Sequence, residues 1–548
     1  MMACKYVIMG EDNVTRKVGP HGYSLQLPDA NEREKMVTVG DVWRLAASRD
    51  TNLFSFEWLK LKDLCLSFAL YKLLRRRFEG YPSAEAGRSE SLDFLLRGLL
   101  GDDRGISPHD KGERVFRVVE DELSFLSDYY YSTIPLMLSN LWFFLLDCVL
   151  VFVIPLFCLV VIFASIVIGR DGLIWCVFDQ LINKNVTVPI LYDPTVTLFL
   201  IATLFLVELV EVTVYVLSNW VMVSLLCIYV KKASWRRSAT VLSALTMLWK
   251  ANTFLNHSVL EFNQHSLLEP RGHFLKEQSK LLKIVLHRRY LGVRSTPVPK
   301  EVKAAIVKYL VDNRGCGPVL PIGESVLRRN GAAIEELLRA CKSDGAAETI
   351  IVWHIATCLY EMKHPSSQQS DHHDMKANRR IAETLSKYCA YLVALAPELL
   401  PDDTAGTKTA YKAAVKKIQN AILNGHDRDA DNFERVTSMR NANGTAAERG
   451  AELGHQLVEG VWDERLVLEE WQVWKLLAEL WTEIVVYIAP SDDVKSHAQA
   501  LAHGGEFITH IWALLTHGGI LRWPAANENT PPPPPPPPPP AADDQSPV

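Results

Sequence analysis

Sixteen histidines are spread over the chain, and the best candidate for a site among them is the set His497, His503, His510 and His517, with His455 upstream. Imidazoles grouped this way could ligate a metal or act as general bases. Their spacing argues otherwise. His510 and His517 stand seven residues apart, so on one helix they share a face two turns apart, too far to hold a single ion. Helical zinc pairs use i, i+4 spacing. Asp371, His372, His373 and Asp374 offer donors in a polar stretch, which solvation explains. His354, beside Trp353 in an apolar segment, reads as a core histidine. There is no H-E-x-x-H, no G-x-S-x-G and no phosphate-binding glycine loop. No catalytic residue, no metal ligand and no cofactor is therefore expected.

Three acids carry the other chemistry: Asp147, Glu208 and Glu211, each inside a long apolar run. An ionisable group within a membrane span marks a functional site by default, and Glu208 and Glu211 share a helix face. The elements that position them are the runs at 134–168 and 196–230. About 20 helical residues cross a bilayer, and both runs exceed that. The second has no Gly or Pro on which to turn, which predicts one unbroken helix. The first contains Pro155, but halves of ~16 residues would be too short to span, so one kinked crossing is expected. The result is a membrane hairpin at 133–237 with spans at about 141–168 and 204–230. Twenty residues at ~1.5 Å reach back from Lys231 to Glu211, and from Ile168 to the neighbourhood of Asp147. The acids are thus expected near the interfaces, at opposite sides of the membrane.

Charge sets the orientation. Lys231, Lys232, Arg236 and Arg237 follow the second run, while the loop charges nearly cancel. The positive-inside rule places both termini in the cytosol, in a plasma membrane or endomembrane, with the loop outside. Asn185-Val186-Thr187 in that loop is a glycosylation acceptor pattern. Trp175 and Tyr192 on one side, and Tyr229 and Trp235 on the other, suit interfacial belts. Cys148 and Cys227 lie near the cytosolic ends, where palmitoylation can occur.

The remainder of the chain is read as helical and soluble. Net charge is −5, which gives no nucleic-acid signal, and ten single cysteines fit cytosolic parts rather than a disulfide framework. A flexible N-terminus at 1–36 precedes a helical juxtamembrane segment at 37–132. Within it, 53–78 ends in Arg75, Arg76 and Arg77. Such a helix either lies on an anionic membrane face, joining Lys231, Lys232, Arg236 and Arg237 in a basic patch, or is an ordinary domain helix with a charged last turn. A helical linker at 238–298 leads to an α-helical cytosolic domain at 299–523. Trp471, Trp474, Ala478, Trp481 and Val485 form one stripe there, with Lys475, Glu479 and Glu483 opposite. The tail at 524–548 holds ten prolines, from Pro531 to Pro540, a polyproline II rod of ~31 Å at 3.1 Å per residue that SH3-like, WW or profilin-type grooves accept.

Several stretches carry a resemblance. KDLCLSFALYKLLRRRF at 62–78, VVEDELSFLSDYYYS at 118–132, IIVWHIATCLYE at 350–361, IAETLSKYCAYLVALAPELLP at 381–401 and the run from ERGAELGHQLVEG at 448 to 520 are similar to a grass-expanded plant membrane protein family. That family has a domain of unknown function 4220 followed by a C-terminal domain of unknown function 594. The resemblance implies no activity. Its members usually begin with further membrane helices, so a truncated or short relative is one expectation.

The expected fold is all-α: an N-terminal helical segment, a hairpin of two transmembrane helices and a large C-terminal helical domain. The expected function is a non-enzymatic, membrane-anchored interaction or scaffold module whose partners are membrane lipid and cytosolic proteins. A channel or transporter subunit using Glu208 and Glu211 is the alternative, and a metal-dependent enzyme built on the C-terminal histidines comes last.

Overall fold

Residues Pro108–Tyr131 show how the chain sets its helices. Ser107 caps the N-terminus, its Oγ accepting the Asp110 N–H at 3.2 Å. Pro108 follows at the first helical position, where its missing N–H is an orphan in any case. Helices of this kind dominate the computed structural model. It describes residues 4, 6–10, 15–19, 22–26, 36–47, 56–81, 89–100, 107–139, 142, 146, 149–150, 153–154, 156–158, 160, 188–255, 259–268, 294–313, 322–331, 335–341, 343, 345–365, 373–424, 431–459, 461–463 and 466–520.

The principal helices are α1 (Phe56–Phe78), α2 (Pro108–Tyr131), α3 (Val188–Val216), α4 (Asn219–Lys231), α5 (Ala239–Leu255), α6 (Ala346–Lys363), α7 (His373–Leu395), α8 (Ala446–Glu459), α9 (Glu470–Ile488), α10 (Val494–Ala502) and α11 (Phe507–His517). Strands among the described residues form only two-stranded antiparallel pairs, for example Glu261–Gln264 against Arg294–Pro297. The mostly helical class matches the expectation. Two compact units form: Met1–Pro82, Gly98–Val307 and Asp493–Ala513 make one, and Ser83–Arg97, Lys308–Asp492 and Leu514–Val548 the other. Residues 493–513 thus group with the N-terminal part of the chain, although the sequence pattern runs on continuously from 299.

In the first unit α1 is buried on nearly every side, with Leu64, Cys65, Leu66, Phe68, Leu70 and Leu74 at most 6% exposed. It is therefore a core helix with a charged last turn. Asp63 on α1 is fully buried and faces α2, where Arg114 reaches it at 2.9 and 3.0 Å and Arg117 at 3.2 Å. Two guanidinium groups on one carboxylate make the burial of that charge tolerable. Beyond this ion cluster, Phe68, Tyr71 and Phe125 pack around the Trp220 indole with centroids 5.2–5.5 Å away.

The second apolar run is not one helix, and this corrects the expected 204–230 span. α3 ends at Val216, and Ser218 caps α4 with extended backbone angles, its Oγ accepting the Val221 N–H at 3.3 Å. The amide of Asn252 on α5 donates to the Leu217 carbonyl at 2.5 Å and to Asn219 Oδ1 at 3.0 Å. Freed backbone groups thus find partners without any Gly or Pro. Ser and Asn break helices by offering the backbone other hydrogen bonds. Past the break the run turns inward, and Met222, Val223, Leu226, Cys227 and Tyr229 lie in the core of the unit, each at most 2% exposed. Tyr229 therefore belongs to that core and not to an interfacial belt.

In the second unit α6 is the central helix, buried all round from Ile350 to Tyr360, as expected of a helix apolar on every face. α8 lies against it at close range because Gly450 and Gly454 have no side chains. A Cβ at Gly450 would sit 2.9 Å from the Val352 carbonyl oxygen, and one at Gly454 would sit 3.1 Å from Ala356 Cα. His354 is fully buried with Nδ1 2.8 Å from Ser386 Oγ, a satisfied core histidine. On α9, Trp474, Ala478, Trp481 and Val485 are buried as the stripe predicts, but Trp471 is 51% exposed and Glu483 is fully buried. Glu483 caps the short helix Glu324–Arg329, accepting from Ser325 and from the Gly323 N–H, while burial raises its pKa.

Candidate membrane-facing site

α3 is the one described helix long and apolar enough to cross a membrane, over Phe199–Val216. Only 6% of that window is buried. Phe199, Leu200, Leu204, Leu206, Val207 and Val210 are each at least 56% exposed. Its hydroxyls turn back on the helix: Thr203 and Thr213 each donate at 2.7 Å to the carbonyl four residues earlier. One stripe is covered. Ile201, Phe205, Glu208 and Val212 are half-buried and Tyr215 is buried, at spacings of four and three.

The helix break moves the acids relative to the expected depth. Glu208 now falls near the middle of the apolar window, on the covered stripe, instead of beyond its edge. Glu211 is exposed and accepts the Tyr215 hydroxyl hydrogen, and Tyr215 Oη in turn lies 2.9 Å from Thr133 Oγ1. That last contact joins the end of α3 to the start of the first apolar run. Described positions of that run, from Trp142 to Val160, are helical and, apart from half-buried Cys158, 44–78% exposed. Asp147 and Asn185 lie outside the described residues, as do Pro531 to Pro540.

Several helix ends converge where α3 stops. The α1 terminus closes with Gly80 at positive φ, its N–H bonded to the Arg77 carbonyl and the Tyr81 N–H to that of Arg76, a Schellman arrangement that only glycine adopts without strain. The last turn lies against the end of α2: the Arg75 guanidinium stands 4.7 Å from the Tyr129 ring centre, and Phe78 stacks on Tyr130 at 6.0 Å. Arg75 also pairs with Glu79 at 2.9 Å. One turn before the end of α2, Asp128 accepts Trp220 Nε1–H at 3.2 Å, and burial raises the Asp128 pKa. Tyr129, Tyr130 and Tyr131 are 36%, 40% and 57% exposed, and Phe254, two residues past Asn252, is 85% exposed.

The expected basic patch is split. Arg75, Arg76 and Arg77 stand at this convergence, half-buried. Lys231, Lys232, Arg236 and Arg237 are exposed at the far end of α4, whose 13 residues extend ~20 Å. Cys227 is buried and its thiol is pushed up to about 12 by that burial, so it is no thiolate at neutral pH.

The C-terminal histidines are not gathered into a site. Among the described residues, no three His, Cys, Asp or Glu side chains are placed to hold a metal. His503 is exposed, and His455 meets Glu459 at 3.4 Å. His497 stacks on Trp512 at 4.4 Å, with Nδ1 3.1 Å from Thr509 Oγ1. His510 bonds through Nδ1 with the Glu506 carbonyl. Burial lowers the pKa of both to about 4, below the ordinary 6.5. The unfolded chain therefore binds protons more readily than the folded one between these values. Each histidine is expected to cost about 2 kcal/mol of stability on acidification from pH 6.5 to 5. Asp121, raised to about 7 by burial, acts in the opposite sense over that interval. The test is therefore a difference: unfolding of the full chain at pH 7 and pH 5, with and without His497→Asn. The variant should lose its share of the acid sensitivity, and an unchanged pH dependence would contradict the assignment.

Residues 5–270 match the family model described as Domain of unknown function (DUF4220), and residues 468–520 match the one described as Protein of unknown function, DUF594. No curated protein and no solved structure matches the chain. The first match takes in α1 through α5 with the helix break and the converging helix ends, and the second takes in α9 through α11. By the presence and order of these two domains, the chain belongs to the family in which a DUF4220 domain is followed by a C-terminal DUF594 domain.

Proposed function

We propose that the protein is an integral membrane protein that holds a large helical module at the cytosolic face and works by binding other proteins there, without catalysis. The observation that carries this reading is the exposure of α3. A soluble core helix of the same composition would be mostly buried, whereas only 6% of this window is. Monomeric soluble proteins rarely leave so large a contiguous apolar surface in water. The Thr133–Tyr215 contact at 2.9 Å supports a hairpin, because it puts the start of the first run beside the end of α3. Both ends then emerge on one side, where the basic residues argue for the cytosol. Pro531 to Pro540 supply one ligand for a polyproline-binding partner.

The test is carbonate extraction and protease protection of the C-terminally tagged chain in sealed microsomes. The chain should stay in the pellet, the tag should be digested and Asn185 should carry an endoglycosidase-sensitive glycan. Release by carbonate would remove the membrane reading. A protected tag would reverse the orientation.

One observation favours a second reading. Glu208 sits in mid-window on the covered stripe of α3, the position expected of a group facing a neighbouring helix or a pathway. A channel or transporter subunit would use it with Glu211. Unchanged flux through reconstituted Glu208→Gln protein would end that reading.

A further inference from the structure

We propose that Ser234, at the exposed joint between α4 and α5, is a phosphoacceptor for a basophilic protein kinase. The local sequence is Lys231-Lys232-Ala233-Ser234-Trp235-Arg236-Arg237. Basic residues stand two and three positions before the hydroxyl and two and three after it, and an aromatic side chain follows it directly. A kinase cleft lined with carboxylates reads such flanks through charge-assisted hydrogen bonds, and it rejects serines whose neighbours carry the wrong charge. Two other basic runs lack a nearby acceptor: Arg75, Arg76 and Arg77 lead into Phe78-Glu79-Gly80, and Arg328-Arg329 into Asn330-Gly331.

The backbone of the joint meets the second requirement, that the acceptor segment can enter a cleft in extended form. Ala233–Arg237 is a short helix with no buried residue. Lys232 before it (φ −88°, ψ 109°) and Ser238 after it (φ −89°, ψ 116°) are already extended, and no side chain caps its start. A helix this short does not hold by itself, so the turn opens at little cost while α4 and α5 stay folded. Lys232, Ser234, Arg236 and Arg237 are exposed. The next hydroxyls are engaged: Ser238 Oγ lies 2.8 Å from Thr240 Oγ1 and accepts the Val241 N–H at the start of α5. In the transfer, Ser234 Oγ bonds to the γ-phosphorus of Mg-ATP as the bond from that phosphorus to the bridging oxygen breaks. ADP leaves, and the hydroxyl proton passes to the kinase's catalytic carboxylate. The phosphate brings a charge of about −2 into a segment with four basic residues. Because the ATP for this step is cytosolic, the inference rests on the orientation proposed above.

The test begins with the full chain in detergent, incubated with Mg-ATP and the isolated catalytic fragment of protein kinase C. Peptide mass spectrometry should find stoichiometric phosphate on Ser234. Ser234→Ala should abolish the transfer, with Ser238 and Thr240 left unmodified. Lys232→Gln/Arg236→Gln/Arg237→Gln should lower kcat/KM for the transfer by about tenfold or more. Arg328→Gln/Arg329→Gln, an exposed pair elsewhere, should leave it unchanged. No transfer to the wild type, transfer that persists in Ser234→Ala, or a rate indifferent to the three basic residues overturns the assignment. The same kinase is then added outside sealed microsomes. Labelling of Ser234 there supports a cytosolic joint. Labelling only after the membrane is opened keeps Ser234 as an acceptor and overturns the orientation instead.

Discussion

Arg114→Leu is expected to destabilise the first unit by about 3–5 kcal/mol. Asp63 is fully buried and takes two of its three closest charged contacts, at 2.9 and 3.0 Å, from the Arg114 guanidinium. Arg117 remains at 3.2 Å, but its side chain is 35% exposed and cannot replace the bidentate grip. An unmatched carboxylate in the core is the costly outcome, more than the loss of the pair as such. The double variant Asp63→Leu/Arg114→Leu should therefore recover much of the loss, since it leaves no buried charge on α1. Unfolding of the detergent-solubilised chain followed by tryptophan fluorescence would read both. If the double variant were less stable than the single, the desolvation argument would be wrong.

The second large effect is expected where α8 crosses α6. In an exposed helix Gly→Ala gains about 1 kcal/mol from propensity. At Gly454 the sign should reverse, because a Cβ would stand 2.6 Å from Leu359 Cδ1, 3.0 Å from Leu359 Cβ and 3.1 Å from Ala356 Cα. The leucine tip can rotate away, but a neighbouring Cβ and a helix backbone cannot. Overpacking of this kind costs about 1–3 kcal/mol per site, and Gly450→Ala/Gly454→Ala should lose about 3 kcal/mol or more as the helices are forced apart. Gly406 is the control: it is exposed, and its nearest neighbour to an added Cβ is Asp403 Oδ2 at an ordinary 3.6 Å. Gly406→Ala should be neutral or slightly stabilising. Equal effects at Gly406 and Gly454 would contradict the close-packing account.

These two sites also mark what was legible in the sequence. Periodicity identifies α9 because its apolar positions recur at helical spacing, and in the structure two glycines at positive φ, Gly504 and Gly505, separate α10 from α11. Periodicity does not identify contacts across the chain. Asp63 and Arg114 are 51 residues apart, and either one alone reads as a solvated charge. Glu483 follows the surface stripe of α9 in spacing, yet it is drawn inward to cap another helix. Two glycines four apart, in ERGAELGHQ, carry a recognisable close-approach signal that hydropathy does not weigh. The largest misreading, the unbroken second span, came from treating Gly and Pro as the only residues able to end a helix. Ser218 and Asn219 form a capping pair that could have been noticed, but the donor completing it is Asn252, which no local rule connects to Leu217.

That break bears on how the protein is made. Between Glu211 and Lys231 the chain has no charged residue, so on the proposed topology nothing within the run tells the insertion machinery where lipid ends. The stop is written at Asn252, which leaves the ribosome 35 residues after Leu217. Until α5 folds back, the apolar run can slide by as much as the length of α4, ~20 Å. On the proposed topology, the register of the span would be settled by a tertiary contact made after synthesis of the span itself. A variant that weakens the core of the first unit is also a variant that misplaces the membrane boundary, and its defect would register as altered topology before it registered as unfolding.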